Sequence, residues 1–365
     1  MPSSIAVAVI GAGAIGRTHI DTIRSTPGVK LAGIVDPTAD ARSLADTNGV
    51  PYFPDTNALI AAKLADAAIV ATPNELHLPV SEALLTAGLP VLLEKPVAES
   101  LVSALKLVSI VAATGVPLLV GHHRRHNPIV RTARAAIEAG DIGDLVMATV
   151  TSSLAKPAPY FQAEWRRKPG VGGPLLINLV HEIDQLRYFF GEISTVQSIT
   201  SNSRRGFEVE DTAAVCLTFA GGGLATLCIS DAAVGPWSWD LTANENPARF
   251  PAYDVPAHYY AGSRAGLSLP DLKLWKPRGT PDWTETLTSQ HLPFAPAGTY
   301  VAQLEHFVDL VRMGGMPLVS AQDATANILV LDAIARAGAS GQSVAVDLSP
   351  LTLSQDFKSE DRGHS

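Results

Sequence analysis

Three glycines near the N-terminus have the spacing of a loop that can wrap a phosphate group. Gly11, Gly13 and Gly16 form the pattern G-x-G-x-x-G within "VIGAGAIG". The first glycine allows a tight turn, the second lets a phosphate approach the backbone, and the third lets the next helix pack on the strand. The free N–H groups that open such a helix favour an anion. We therefore expect a dinucleotide-binding loop made of Gly11, Gly13, Ala14, Ile15 and Gly16.

Asp36 lies twenty residues beyond Gly16, where the next apolar run ends. A carboxylate at that point accepts hydrogen bonds from ribose hydroxyls and repels a 2′-phosphate. Because Pro37 follows it, and not an arginine, the sequence favours NAD over NADP. The alternative is a plain glycine turn followed by a capping aspartate, which the strand–turn–helix–strand context disfavours.

A second candidate site follows the apolar run "VLL". Glu94, Lys95 and Pro96 come directly after it. Ligands of open α/β sheets bind at the carboxyl ends of the strands, and a charged pair is hard to bury there without a purpose. An exposed Lys–Glu pair on a loop is the alternative. We expect Glu94 and Lys95 to lie at the cofactor and Lys95 to act on the substrate as well.

A histidine in the apolar run "LLINLVHEID", residues 175–184, is the third candidate. His181 could be a buried structural histidine, or the run could be an amphipathic helix with one reactive face. Helical spacing predicts a buried stripe, formed by Leu176, Leu179, Ile183, Leu186 and Phe190. It puts a second face, which we expect to point toward the nicotinamide, at Ile177, His181, Asp184, Gln185 and Tyr188.

The elements that must position these residues fall into two groups. Up to about residue 121, short continuous apolar runs alternate with helix-like stretches, which predicts a doubly wound parallel sheet. Beyond about residue 143, turn residues separate runs with partial alternation, which predicts a mostly antiparallel second sheet in an α+β domain. These runs include "PWSWDLTAN" and "AGLSLPDLKLW", where we expect strands. Between and after the strands we expect a long loop over 244–262, helices near 298–313 and 320–338, and a last strand in "SVAVDL".

This change in the hydrophobic pattern predicts three segments with different functions. Residues 1–123 are predicted to bind the dinucleotide, and residues 124–348 are predicted to bind substrate and to form oligomer contacts. Residues 349–365 are predicted to be a polar tail that frays.

The composition excludes several classes of protein. The chain has 365 residues, of which 47% are hydrophobic and 17% charged, so it is long enough for two domains and unlike a disordered protein. A net charge of −8 disfavours a nucleic-acid partner. The N-terminal run lacks a basic start and is interpreted as a strand, not a signal peptide, and no run is long enough to span a bilayer. The two cysteines, Cys216 and Cys228, are expected in the core, and a cytoplasmic location fits.

The motifs together resemble those of the glucose–fructose oxidoreductase / inositol dehydrogenase / rhizopine catabolism (Gfo/Idh/MocA) family. "GAGAIG", "EKP", "GHHRRHNP" and "GGPLLINLVHEIDQLRYFFG" occur in the family's order and at about its spacing, up to about residue 348. The resemblance implies a Rossmann domain followed by an α+β domain whose open sheet serves as an interface, hence a homodimer or homotetramer. It implies hydride transfer between NAD and a secondary alcohol of a sugar, cyclitol or related polyol.

The same resemblance assigns roles to individual residues. It implies that Lys95 and His181 are catalytic, and that the nicotinamide ribose is flanked by Thr72, Pro73, Asn74 and His77. It implies a substrate-binding set made of Lys95, Arg124, Arg125, Trp165, Arg166, Asn178, His181 and Asp184.

The chemistry of these two catalytic side chains follows from what hydride transfer requires. A base must take the hydroxyl proton as the hydride leaves, and an imidazole such as His181 titrates near working pH. Lys95 would stabilise the developing oxygen charge, although the two roles could be shared or exchanged.

One position departs from the family pattern. The aspartate usual four residues before the histidine is replaced by Ile177, about 40° from His181 on an α-helix. Asn178 could offer a neutral hydrogen bond instead, and Asp184 could take the carboxylate's role.

Several alternatives stay open. The arginines and lysine of "HHRR" and "WRRK" could bind a carboxylated ring diol, or could simply face solvent. The hydride could go to an imine, or the protein could be a dinucleotide-binding sensor without turnover. His122, His123 and His126 suggest a metal, but no carboxylate or thiolate ligand is evident nearby, so we expect no metal.

Overall fold

The computed structural model describes residues 4–351. It divides the described chain into two compact units. The first consists of residues 4–123, 298–328 and 348–351, and the second of residues 124–297 and 329–347. The predicted polar tail lies outside the described residues from 352 onward.

A six-stranded parallel sheet forms the centre of the first unit, in the order β3-β2-β1-β4-β5-β6. This is the strand order of a doubly wound dinucleotide-binding fold, and the predicted fold class is confirmed. The strands are β1 (Ile5–Ile10), β2 (Val29–Val35), β3 (Tyr52–Phe53), β4 (Ala67–Val70), β5 (Val91–Leu93) and β6 (Leu118–Val120). β1, β4, β5 and β6 are buried along almost their whole length because helices cover both faces of the sheet, as their continuous apolar runs predict.

The helices of the first unit include five crossovers and one late helix. They are α1 (Ala14–Ser25), α2 (Ala39–Asn48), α3 (Thr56–Ala62), α4 (His77–Thr86), α5 (Leu101–Thr114) and α9 (Thr299–Met313). Leu304 and Phe307 of α9 belong to the same buried core as the parallel strands. A chain segment that is distant in sequence thus completes this unit.

A nine-stranded, mostly antiparallel sheet forms the second unit, in the order β14-β13-β12-β11-β7-β10-β9-β8-β15. Its strands are β7 (Leu145–Ser153), β8 (Ile193–Ser201), β9 (Thr212–Phe219), β10 (Leu224–Ser230), β11 (His258–Gly262), β12 (Gly266–Leu269), β13 (Lys273–Pro277), β14 (Leu287–His291) and β15 (Val344–Ala345). Among the strands of this sheet within residues 4–351, β7 and β10 pair in parallel and the other neighbours pair antiparallel. The predicted second sheet is therefore confirmed.

The remaining helices are α6 (Pro128–Glu138), α7 (Val180–Phe190), α8 (Trp239–Thr242) and α10 (Ala321–Ser340). Both predicted late helices are present as α9 and α10. A π-helical turn, Leu175–Leu179, leads into α7, and the 3₁₀ segments are Asn74–Leu76, His123–His126, Ala158–Gln162 and Glu164–Arg167.

Two expectations for the second sheet were wrong. "PWSWDLTAN" contains helix α8, because Trp239 turns inward and Asp240 favours a helix start there. The strand expectation for "AGLSLPDLKLW" is confirmed, as two antiparallel strands, since the chain reverses through Pro270 and through Leu272, whose φ is 52°. The expected loop over 244–262 ends in strand β11, which pairs with β7 and β12.

The cysteine expectation was also wrong. Cys216 and Cys228 are free and exposed. They occupy the outward positions of β9 and β10, whose inward neighbours Val215, Leu217 and Leu227 are buried. Within residues 4–351, none of the helices combines the length and hydropathy that a membrane span requires.

Candidate active site

The carboxyl edge of the parallel sheet gathers the predicted cofactor residues of the first unit. Strands β1, β4 and β5 are neighbours in the sheet, and they lead into Gly11, Thr72 and Lys95. Gly11 has a φ of 97°, and a Cβ on it would lie 2.4 Å from the carbonyl oxygen of Ala71. The loops after β1 and β4 therefore approach so closely that only glycine fits.

The glycine loop leaves space where a phosphate is expected. A Cβ on Gly13 would meet no atom within 4 Å, whereas one on Gly16 would lie 1.9 Å from the oxygen of Gly11. Gly13 is the cap residue of α1, and the first turn of that helix carries no acidic side chain. The open space and the positive helix N-terminus fit the diphosphate of a dinucleotide.

Asp36 is tied to the glycine loop by its own carboxylate. One carboxylate oxygen accepts a hydrogen bond of 2.8 Å from the Ala12 N–H, and the other accepts from the N–H and the hydroxyl of Thr38. Burial tends to raise the pKa of Asp36, but these hydrogen bonds and the charge of Arg17 outweigh it and hold the pKa below its usual value. An ionised carboxylate thus lies beside the loop, as NAD selection requires.

His77 connects the loops that follow β4 and β5. Its Nδ1 lies 2.8 Å from the carbonyl oxygen of Pro96, and its Nε2 lies 3.1 Å from that of Thr72. The ring is buried, and burial lowers its pKa despite these carbonyl groups. His77 therefore lies between the "ATPN" segment (with Pro73 and Asn74) and the "EKP" segment, and its neutral ring can donate its one N–H to either carbonyl group.

Glu94 and Lys95 differ in their surroundings. Glu94 is buried, and its Oε1 lies 2.8 Å from Nε2 of His19 on α1. Lys95 is half-buried at the end of β5. The partner of Glu94 could not be foreseen from sequence, because His19 precedes it by 75 residues.

In the second unit, His181 lies in the first turn of α7 and is half-buried. The turn before it is π-helical, so the angle of about 40° calculated for Ile177 on an α-helix does not apply. Asn178 accepts a hydrogen bond of 2.7 Å from Nζ of Lys156, a lysine whose side chain is only 8% exposed. Sequence reading missed Lys156, since nothing in "SLAKPAP" marks it.

Arg124 has a buried carboxylate partner within the second unit. Its Nη1 lies 2.7 Å from Oε1 of Glu182, and Nε2 of His258 lies 3.1 Å from the other oxygen of Glu182. Burial tends to raise the pKa of Glu182, but the charges of Arg124 and His258 lower it to about 2. The guanidinium also lies over the ring of Trp239.

Arg125 is paired in the same way with Asp184. Its Nε and Nη2 donate to the two oxygens of that carboxylate at 3.0 and 2.6 Å, and both side chains are buried. The predicted substrate contacts Arg125 and Asp184 thus bind each other. On the predicted reactive face of α7, the side chains of Asp184 and Gln185 are therefore buried and not exposed to a ligand.

Trp165 and Arg166 form an aromatic and cationic group with Tyr160. Trp165 is 47% exposed, and the guanidinium carbon of Arg166 lies 3.9 Å from the centre of the Tyr160 ring. Arg166 also donates to the carbonyl oxygen of Tyr160 at 2.6 Å. Lys168 makes an exposed ion pair with Glu164.

The histidines of "GHHRRH" have separate surroundings. Nε2 of His122 lies 3.2 Å from the side-chain nitrogen of Asn327, and His123 stacks on Tyr300. Across residues 4–351 there is no group of three or more His, Cys, Asp or Glu side chains that could hold a metal ion.

Two family models match this chain. One describes an oxidoreductase family with an NAD-binding Rossmann fold and matches residues 5–122. The other describes the GFO/IDH/MocA C-terminal domain and matches residues 130–245.

Named relatives extend the match over most of the chain. An inositol 2-dehydrogenase from Corynebacterium glutamicum is 30% identical over 328 residues, which cover 86% of this chain and 88% of that protein. A 1,5-anhydro-D-fructose reductase from Ensifer adhaerens is 28% identical and covers 93% and 98%. The crystal structure of the WlbA dehydrogenase from Bordetella pertussis, in complex with NADH and UDP-GlcNAcA, shares the fold with a TM-score of 0.77, 20% identity and coverage of 95% and 99%.

Proposed function

Because the chain belongs to the Gfo/Idh/MocA family of NAD-binding oxidoreductases, we propose that it transfers a hydride between NAD and a secondary alcohol or ketone of a sugar, cyclitol or related polyol. The compounds in the names of two relatives, inositol and 1,5-anhydro-D-fructose, are a cyclitol and a sugar. In this proposal residues 1–123 bind the cofactor and residues 124–348 bind the substrate.

One observation carries the proposal. Lys95 leaves β5 at the same sheet edge at which the glycine loop leaves β1 and the "ATPN" segment leaves β4. His77 lies between two of these loops, with one ring nitrogen near the carbonyl group of Thr72 and the other near that of Pro96. A cationic side chain is therefore held at the cofactor edge of the sheet, where it could act on a reacting oxygen.

The residues around the cofactor would each do a distinct task. The N-terminus of α1 would bind the diphosphate, and Asp36 would bind the adenosine ribose. Thr72 and Asn74 would lie along the nicotinamide ribose. Bound NAD would supply the hydride acceptor, and NADH the donor.

Proton transfer would be carried out by side chains of this protein. We propose that His181 takes the hydroxyl proton of the alcohol and that Lys95 donates a hydrogen bond to the oxygen as its charge develops. The exchanged assignment, in which Lys95 is the base, makes different predictions for pH dependence. Loss of the base should remove the acid limb of the rate profile, whereas loss of the stabilising donor should lower the rate at every pH.

The experiment is a screen of NAD reduction against inositols, anhydro sugars and ring diol acids, and of NADH oxidation against ketones and imines, followed by variants. His181→Ala and Lys95→Met should each lose at least about 100-fold in kcat, while NADH binding, measured by fluorescence, changes by less than about threefold. Near-normal turnover in either variant would refute its assigned role.

The screen also separates the rival functions. Turnover confined to carboxylated ring diols would favour that substrate class, and NADH oxidation only with imines would make the protein an imine reductase. Tight NADH binding with no turnover in either direction would make it a dinucleotide-binding sensor.

We also propose a cytoplasmic homodimer or homotetramer that assembles through the outer face of the nine-stranded sheet. Met147, Ile199 and Leu224 point outward from this sheet and are each more than half exposed. Apolar side chains on an open sheet face support an interface. Light scattering of the Ile199→Asp variant should then show a smaller particle than the wild type, and an unchanged mass would refute this interface.

A further inference from the structure

The first unit holds a buried side-chain pair that the proposed chemistry does not use. His19 on α1 is 2% exposed, and its Nε2 lies 2.8 Å from Oε1 of Glu94, a residue that is 6% exposed. Glu94 directly precedes Lys95. An ionised carboxylate this deep needs a partner, and His19 is the one that the fold supplies.

The Glu94 carboxylate is held on its other sides as well. Its Oε2 lies 3.3 Å from the backbone N–H of Lys95. A Cβ on Gly121, which follows β6, would lie 3.1 Å from Cα of Glu94 and 3.3 Å from its carboxyl carbon. The backbone after β6 therefore passes so close to Glu94 that a side chain at position 121 would collide with it, and the Lys95 N–H is the backbone group that the carboxylate contacts.

The ring of His19 is itself fixed by aromatic contacts. Tyr300 on α9 meets it edge-on with the ring centres 5.6 Å apart. The same tyrosine stacks on His123, with ring centres 4.9 Å apart and planes 15° from parallel. Helix α9 thus restricts the direction in which His19 presents its N–H.

Four charged or titratable groups act on Glu94. They are His19 from α1, His77 from α4, His123 after β6, and Lys95. Burial tends to raise the pKa of Glu94, but the hydrogen bond and charge of His19, together with His123 and Lys95, hold that pKa below its usual value. The carboxylate therefore stays negative beside Lys95.

We propose that His19 is a positioning residue for the hydride-transfer step, because it holds the Glu94 carboxylate where that carboxylate fixes the backbone and the charge around Lys95. The inference rests on the proposed role of Lys95. It also makes α1 do two things at once. The N-terminus of this helix would bind the diphosphate, and His19, less than two turns later, would position Lys95.

The test measures Lys95 directly, in the full-length protein. Lysines are labelled by reductive ¹³C-methylation, the Lys95 signal is assigned with Lys95→Arg, and its titration midpoint is followed by NMR. His19→Leu keeps the side-chain volume but removes the donor, whereas His19→Gln keeps an N–H donor. Thr22→Ala is the matched control, since Thr22 is buried on the same helix and its hydroxyl donates to the Thr18 carbonyl of that helix.

We expect His19→Leu and Glu94→Gln to lower the Lys95 midpoint by about one pH unit, since the negative charge of Glu94, which interacts with that of Lys95, is displaced or lost. His19→Gln should restore at least half of that shift, and Thr22→Ala should leave the midpoint unchanged. With a substrate identified by the screen above, His19→Leu should lower kcat at least about tenfold and change the KM for NAD by less than about threefold.

Two outcomes would overturn the inference. In one, His19→Leu leaves the Lys95 midpoint as in the wild type. In the other, Thr22→Ala moves it as much as His19→Leu does. Should the leucine variant fail to fold, a Lys95 midpoint in Glu94→Gln equal to that of the wild type would count against the proposal. Because the titration needs no turnover, a failure of the proposed function would appear separately, as unimpaired catalysis by Lys95→Met.

Discussion

Replacing Glu182 by glutamine should destabilise the protein strongly, because this carboxylate is the buried partner of both Arg124 and His258. Its pKa is lowered from 4.5 to about 2. A shift of about 2.5 units corresponds to about 3 kcal/mol of stabilisation by the ionised form. Leaving a buried arginine without its partner costs about 3–5 kcal/mol in other proteins, which agrees with that figure.

The pH dependence has a definite sign. Because the folded-state pKa is below the unfolded one, the stabilisation is complete above pH about 4.5 and is lost as the pH falls towards about 2. The difference in unfolding free energy between wild type and Glu182→Gln should therefore shrink from about 3 kcal/mol at pH 7 to about 1 kcal/mol at pH 3.

Urea unfolding at the two pH values measures both numbers. Glu138→Gln is the control, since Glu138 pairs with Arg134 on the surface of α6 and is 58% exposed. Its loss should cost less than about 1 kcal/mol. Equal losses for the two variants, or a Glu182 effect that is the same at both pH values, would refute the reasoning.

Three further changes test the cofactor loop and the helix before His181. Gly11→Ala should lower NADH affinity more than about tenfold in a fluorescence titration, because its φ of 97° and a Cβ 2.4 Å from the Ala71 oxygen leave no room; unchanged affinity would contradict this. Asp36→Ser should lower the NAD-over-NADP ratio of kcat/KM at least about tenfold, and an unaltered ratio would remove Asp36 from cofactor selection. Ile177→Asp should move the acid limb of the pH–rate profile upward, since a carboxylate favours the imidazolium of His181; an identical profile would mean that position 177 does not tune it.

The fold could be predicted from sequence wherever one physical signal dominated. The parallel strands are buried on both faces, so their continuous apolar runs identified them. The errors lie where that signal is weak. Strand β14 is exposed along its whole length and has no apolar face to reveal it. Trp237 and Trp239 imitate strand alternation, although Trp239 belongs to a short helix.

The residues of the candidate site also differ in whether the sequence could predict them. The glycine loop and Asp36 could be recognised because their task depends on backbone geometry within a short stretch. The partners of Glu94 and Asn178 could not, since His19 is 75 residues from the former and Lys156 is 22 residues from the latter. Sequence shows a buried charge but not which distant residue neutralises it.

The ion pairs of Arg124 and Arg125 show how partners that are distant in sequence anchor a helix. Arg124 and Arg125 are consecutive, but their partners Glu182 and Asp184 lie two residues apart, about 200° around helix α7. The two ion pairs therefore hold opposite sides of the helix that carries His181. The helix cannot rotate about its axis without lengthening one of them. The positive charges that the sequence offered as a substrate contact thus anchor helix α7. Arg125→Met should therefore perturb stability and turnover together rather than the KM for substrate alone.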